Sequence, residues 1–199
     1  MKLNAAEKAL MNNPIRSVFQ RHYEATLLES LGGRVDQGRV LEVGCGRGVG
    51  VEIILTRFGA GEVVAFDLDS DMVDRARSRL AQWGDRVDVS VGDVTSIQAP
   101  EGSFDAVFDF GIVHHVPDWR LAISEISRVL RPGGHFYFEE VTRHALDRPS
   151  YRYLFDHPRK DRFSAREFVD HLEDSSIAVG GRVIERIFGD FVLGVGIRA

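Results

Sequence analysis

The chain has 199 residues, 44% hydrophobic and 28% charged, which suits one globular domain with a sizeable core. Its net charge of −5 provides no basic field to gather nucleic acid, its single cysteine excludes a disulfide framework or a Cys-rich zinc site, and no apolar run nears the length of a membrane span. Residues 1–20 lack the apolar core of a signal peptide, so a soluble cytoplasmic protein without a metal centre is expected.

Residues 3–31 read as one or two helices broken near Asn12-Asn13-Pro14, because Asn caps helices and Pro favours their first turn. Ile15, Val18, Phe19, Tyr23, Leu27 and Leu31 recur at helical spacing and are expected to face the domain, and Gly32-Gly33 ends the run. Next, Val40-Leu41-Glu42-Val43 enters Gly44-Cys45-Gly46-Arg47-Gly48-Val49-Gly50, and an amphipathic segment, 51–58, leaves it. The pattern is strand, tight turn, helix. Glycines there let the backbone take positive φ and approach a ligand closely, and the helix start offers unpaired N–H groups beside that ligand. For Cys45, a small side chain in a tight turn is sufficient explanation.

The dinucleotide fingerprint G-x-G-x-x-G is only partly met, since Val49 stands where its third glycine belongs. The chain reads E-x-G-x-G-x-G instead. An acid two residues before the first glycine suits a ligand with a cationic part better than a pyrophosphate. Here the chain resembles the class I S-adenosylmethionine (SAM)-dependent methyltransferases of the small-molecule type, whose first motif reads E/D-x-G-x-G-x-G. The resemblance implies an α/β fold: a Rossmann-like, doubly wound, seven-stranded and mostly parallel sheet, its last strand antiparallel, with an N-terminal helical cap. It also implies SAM as cofactor, cradled by Glu42, Gly44, Cys45, Gly46 and Gly48. On this reading residues 1–33 form the cap and 34–199 the SAM-binding domain, with 141–163 an acceptor-side insertion. In the family an N-terminal helix often covers the pocket, which makes Tyr23, with Arg16 or Arg21, a candidate acceptor contact. A helix packed on the side of the domain accounts for most of the same residues.

Glu62 to Asp69 is a buried-strand pattern ending in acids. Asp67 lies about 20 residues beyond the glycines, where the second strand of such a unit presents an acid to the ribose hydroxyls. Asp69 and Ser70 read as caps for a helix over 71–83, with Arg75, Arg77 and Arg79 on a solvated face. The resemblance adds Leu68 and Met72 on the adenine faces, core filling being the other reading of Met72. Val87 to Val91 alternates as a strand does. After it, the resemblance gives Asp93 the adenine amino group and the Val94 N–H a ring nitrogen, the alternative being a plain Asp turn.

Phe104 to Phe110 is a strand, 111–119 a loop, and 121–130 a helix stopped by Arg131-Pro132-Gly133-Gly134. The succession F-D-x-V, H-H-V-x-D, R-V-L-R-P-G-G is the second match to the family. Strand four then ends beside strand one at the switch point where ligands bind, and Phe110 would lie along the methionine tail of SAM. In phosphoethanolamine methyltransferases a histidine at the matching place pairs with a tyrosine of the N-terminal helix. That makes His115 a candidate general base or latch and Tyr23 its candidate partner; an imidazole that caps the loop is the structural alternative.

The fifth strand, 135–140, ends in Glu139 and Glu140, expected as a solvated strand end, with an acceptor-facing role as the alternative. Residues 143–162 lack periodicity and carry a positive excess, so Arg148 and Arg152 are candidates to hold an anionic acceptor, against a loop of scattered charge. Ser164-Ala165-Arg166-Glu167 is a capping box. Arg182 to Phe188 and Phe191 to Arg198, about Gly189-Asp190, read as a hairpin.

The expected activity is methyl transfer from SAM to an O, N or C atom of a small molecule, anionic acceptors among them. Nucleic acid is not expected as a partner: strand four ends Asp109-Phe110-Gly111-Ile112, not in the Asn/Asp-Pro-Pro-Tyr/Phe that holds a flipped base. Two rivals share the fold. One is a SAM-binding protein without catalysis. The other is an NAD(P)-dependent oxidoreductase, which needs the missing glycine and a Tyr-x-x-x-Lys or comparable hydride-transfer site.

Overall fold

Side chains of β1 (Arg39–Val43) alternate between the faces of a sheet. Val40 joins one buried cluster, Leu41 and Val43 the other, and Glu42 is left on the Val40 face. The computed structural model describes residues 13–148 and 161–199, and extends this two-sided pattern across a mixed sheet. Its strands are β1, β2 (Glu62–Asp67), β3 (Val87–Val91), β4 (Phe104–Phe110), β5 (Leu130–Val141), β6 (Ile177–Ala178), β7 (Val183–Arg186) and β8 (Phe191–Arg198). The order is β3-β2-β1-β4-β5-β8-β6, with β7 also paired to β8. From β3 to β5 all neighbours are parallel, and β8 runs antiparallel to β5 from His135↔Ile197 to Val141↔Phe191. The expected hairpin is present as β7 and β8. The two-residue β6 is an addition to the seven strands expected.

Helices cover both faces. Against one lie α2 (Ala25–Gly32), α3 (Val49–Thr56) and α4 (Ser70–Leu80); against the other lie α5 (Trp119–Val129) and, after the short α6 (Arg143–Leu146), α7 (Ala165–Asp174). Local chemistry sets their starts. The Asp69 side chain caps α4, Asp118 caps α5 by accepting from the Leu121 N–H at 3.1 Å, and Ser164 with Glu167 closes the capping box of α7. The Arg131-Pro132-Gly133-Gly134 segment does not merely stop α5. It is absorbed as an irregularity in β5, whose pairing with β4 jumps from Phe104↔Leu130 to Ala106↔His135.

The N-terminal cap differs from its sequence pattern. Helix α1 (Pro14–Phe19) runs into α2 through a π-helical turn, Gln20–Glu24. A π turn takes an extra residue and rotates the faces of the helix on either side. Val18, Phe19 and Tyr23, expected inward, are 57%, 49% and 43% exposed, while Gln20, Glu24, Ala25 and Leu28 are buried. Leu27 and Leu31 do pack on the core. Residues 3–12 of the expected helices and 149–160 of the expected insertion, Arg152 among them, lie outside the described residues.

Candidate active site

Strand order reverses between β1 and β4, which opens a crevice at the carboxyl edge of the sheet. A cavity of about 400 Å³ occupies it, walled by the glycine turn, the ends of β2 and β4, the loop 111–118 and the Ser17–Gln20 face of the cap. In the turn, Gly44, Gly46 and Gly48 take φ of 67°, 52° and 84°. That geometry points the Gly46 N–H at Asp67, whose Oδ2 accepts it at 2.9 Å; Oδ1 accepts the Asp69 N–H, also at 2.9 Å. A carboxylate has about four lone-pair sites, so Asp67 is fixed by the backbone and keeps acceptor capacity toward the cavity it lines.

Gly50 has a different job. A Cβ there would stand 1.9 Å from Glu42 Oε1 and 2.8 Å from the Phe110 ring. The fourth glycine makes room for the acid of the motif, which is why Gly50, and not the Val49 position, had to be bare. Glu42 is 2% exposed, and its Oε2 has no hydrogen-bond partner among the described residues. Burial, then Asp67 and Asp109, push its pKa well above the carboxylate range. The same burial, with Glu42 and Asp67 nearby, pushes the Cys45 thiol up, so it stays protonated and unreactive.

Of the residues singled out in the sequence, Glu42, Gly44, Cys45, Gly46 and Asp67 meet at this cavity. Leu68, Met72, Asp93, Val94, Phe110 and His115 complete the wall around them. Asp93 is oriented by Thr95, whose N–H and hydroxyl donate to Oδ1 at 2.9 and 2.7 Å. Gly48 acts one step back: its N–H closes the turn on the Cys45 carbonyl, and a Cβ would strike Leu80 at 2.8 Å. Tyr23 is not at the cavity. It stacks on Phe19 with ring centroids 4.8 Å apart, on the outer side of the rotated cap. Ser17, Gln20 and Arg47 do line the cavity and were not picked out in the sequence; only the π turn turns the polar face of the cap inward.

The acids that close β5 are not a solvated strand end. Glu140 is fully buried and accepts from the Val113 and His114 N–H groups at 2.6 and 3.1 Å, with His114 Nδ1 2.5 Å away. Asp109, on the neighbouring strand, accepts from Gly111 and Ile112 at 3.1 and 2.9 Å. Burial pushes Glu140 up to about 7, and burial with the neighbouring Glu140 pushes Asp109 well above the usual carboxylate range. Between them they pin the loop that carries His115. Glu139 points the other way, where the Arg16 guanidinium bonds Glu24 and lies 3.6 Å from Glu139.

The arginines weighed as acceptor contacts are likewise engaged in the fold. Arg16 is held as just described, Arg21 pairs with Glu52, and Arg148 pairs with Asp190 at 2.8 Å.

Residues 40–134 match the family described as a methyltransferase domain. The match spans the glycine turn, Asp67, Asp93 and the His115 loop, the elements that build the cavity. Across this segment the chain is similar to the SAM-dependent methyltransferases. The cofactor that such a domain implies is SAM. A fatty-acid O-methyltransferase of Mycolicibacterium smegmatis is 35% identical over 125 residues, 62% of this chain and 44% of that protein. A ubiquinone biosynthesis O-methyltransferase of Xanthomonas euvesicatoria is 36% identical over 132 residues, 66% of this chain and 51% of that one. The chain thus spans about half the length of these curated relatives. A SAM-dependent methyltransferase of Aquifex aeolicus superposes with a TM-score of 0.75 at 23% identity over 98% of both chains, a likeness of fold. Among the described residues, no helix is long and apolar enough to cross a membrane.

Proposed function

We propose that this chain transfers the methyl group of SAM to a small organic acceptor through an O, N or C atom. The observation that carries the reading is the buried Glu42 oxygen without a partner at the cavity wall. Unlike the unpartnered oxygens of Asp109 and Glu139, this one belongs to a residue that lines the cavity, within reach of a ligand's donor, and an acid so placed answers a cationic one. SAM supplies a methyl group already activated by its sulfonium, so the protein has chiefly to orient the reactants.

The residues fit that task. Gly44, Cys45 and Gly46 bring backbone close to the ligand in the turn that Gly48 closes behind them, and Glu42 takes its ammonium. Asp67 offers lone pairs to two ribose hydroxyls. Leu68 and Met72 bracket an aromatic base, whose edge meets Asp93 and the Val94 N–H. Phe110 lies along the tail. His115 removes the acceptor's proton where there is one to remove, for which an imidazole titrates in the right range. Its ring stands 4.1 Å from that of His114, on the loop pinned by Glu140 and Asp109. Tyr23 has no part in this reading. The relatives named for fatty-acid and ubiquinone O-methylation favour an oxygen acceptor on a small molecule.

Calorimetric titration with SAM tests the cofactor half, and release of S-adenosylhomocysteine across an acceptor panel tests the transfer. His115→Ala is expected to leave SAM affinity unchanged and lower turnover by roughly 10²- to 10⁴-fold, the usual range for a general base. Binding without turnover on any acceptor would favour a SAM-binding protein without catalysis.

A further inference from the structure

We propose that Arg47 and Ser17 form the subsite for the carboxylate of the cofactor's methionine end, joining the N-terminal cap to the glycine turn through the ligand. The proposal rests on the SAM reading above. Two side chains of the cavity wall, the acid Glu42 and the guanidinium of Arg47, each bury an atom that has no hydrogen-bond partner among the described residues: Oε2 of the acid and Nε of the guanidinium. The Arg47 fork makes one bond, from Nη2 to Ser17 Oγ at 3.0 Å. Unlike Arg16, Arg21 and Arg148, it has no carboxylate of the chain within ion-pair distance among the described residues.

The charged groups that act on it most are Arg79 and Arg75. Glu52, which pairs with Arg79, serves Arg21 as well. Burial, then Arg79 and Arg75, push the Arg47 pKa down, yet a guanidinium remains charged under such pressure. An anion brought to Arg47 therefore meets an unused fork in a positive field.

The identity of the anion follows from the other orphan. Glu42 calls for a cation, and it stands at the start of the same turn that carries Arg47. An α-amino acid bears its ammonium and carboxylate on one carbon, so a methionine tail that sets its ammonium by Glu42 brings a carboxylate along. A guanidinium fork matches a carboxylate bidentately. Ser17 belongs to the cap and Arg47 to the turn, so one bound carboxylate holds both.

The test is a cycle between ligand and protein. SAM and decarboxylated SAM, which differ only in the carboxylate, are titrated into wild type, Arg47→Ala and Arg47→Lys. Wild type is expected to prefer SAM by roughly 10- to 100-fold, the range of a charge-assisted contact. Arg47→Ala should bring the ratio below about threefold, with Arg47→Lys between, and Ser17→Ala should lower it less. An unchanged ratio in a folded Arg47→Ala protein that still binds SAM overturns the subsite and leaves the SAM reading intact. Failure of wild type to bind either compound overturns both. An acceptor carboxylate is the other source of such an anion, and octanoate added to protein saturated with S-adenosylhomocysteine separates the two. Octanoate binding lost in Arg47→Ala, with the SAM ratio unchanged, would hand the guanidinium to the acceptor and overturn the proposal.

Discussion

Strands β1 and β5 both deliver glutamates to the same edge of the sheet, and the molecule treats them in opposite ways. At the end of β1, the turn that follows is glycine, and Gly50 leaves the space into which Glu42 fits; the carboxyl faces a cavity with one oxygen unspoken for. At the end of β5, the cap helix and the 111–115 loop close over the strand. Glu139 joins Arg16 and Glu24, and Glu140 takes three backbone N–H groups, of Val113, His114 and Val141, and the His114 ring. Both ends are buried, and both sets of carboxyls are pushed up in pKa by that burial. Burial and a shifted pKa therefore do not by themselves mark a ligand site. Nor does an unpartnered oxygen, since Glu139 Oε2 has no hydrogen-bond partner among the described residues either; what separates the two is that Glu42 lines the cavity, whereas Glu139 and Glu140 lie behind the cap and the loop.

The sharpest way to break this comparison is at the ligand end. Asp67→Ala removes the acceptor offered to two hydroxyls, and charge-assisted bonds of that kind are worth about 1.5–3 kcal/mol each. SAM affinity is expected to fall by roughly 100-fold or more by calorimetry, with the melting temperature lowered by only a few degrees. Intact affinity would overturn the ribose assignment.

Glu140→Ala should do the reverse. It takes the acceptor from three backbone N–H groups in a closed site, where each left unpaired costs about 1 kcal/mol or more, and removes one partner of the His114 ring. For a chain of this size a total of ~3 kcal/mol corresponds to a melting temperature lower by about 6–12 °C. SAM affinity at a temperature where the variant is folded should stay within about threefold of wild type. If Glu140→Ala weakens SAM as much as Asp67→Ala does, the two ends are one site and the distinction drawn above is false.

The same contrast explains what could be read before the structure. The strand–glycine–helix turn, Asp67 at its distance and the β4-to-β5 succession were legible, because backbone conformation and strand ends leave marks in residue type and spacing. Gly50 was visible as a fourth glycine but not as a vacancy kept for Glu42, since that needs the positions of two elements. The fate of Glu139 and Glu140 was not legible at all: an acid at a strand end looks the same whether water, a ligand or a neighbouring loop meets it. The cap failed for a related reason. Val18, Phe19 and Tyr23 keep a helical period, but the π turn at Gln20–Glu24 shifts the phase, and polar Gln20 and Glu24 go inward where apolar residues were expected. No periodicity argument finds Ser17, Gln20 or Arg47 at the cavity; they follow from the phase shift and from the path of the turn.

Glu42 provides the subtlest consequence. Burial first, and the charges of Asp67 and Asp109 next, favour its neutral form, so in the free protein it holds a proton well above the pH at which an exposed glutamate loses one. Relative to the unfolded chain this group adds stability that is complete at low pH and is lost as pH rises through its raised pKa. A bound ammonium reverses the preference, because an adjacent cation favours the carboxylate. Binding should then expel a proton, and affinity should climb with pH by up to about tenfold per unit, levelling off above the raised pKa. Titrations in buffers of differing ionisation enthalpy read the proton directly: up to about one released per SAM bound in wild type, and none from this site in Glu42→Gln. Decarboxylated SAM keeps the ammonium and should release the same proton, whereas 5′-methylthioadenosine, which lacks the whole amino acid, should not. Equal proton release with methylthioadenosine would mean that Glu42 does not meet the ammonium, and that its open oxygen is no more a ligand contact than that of Glu139.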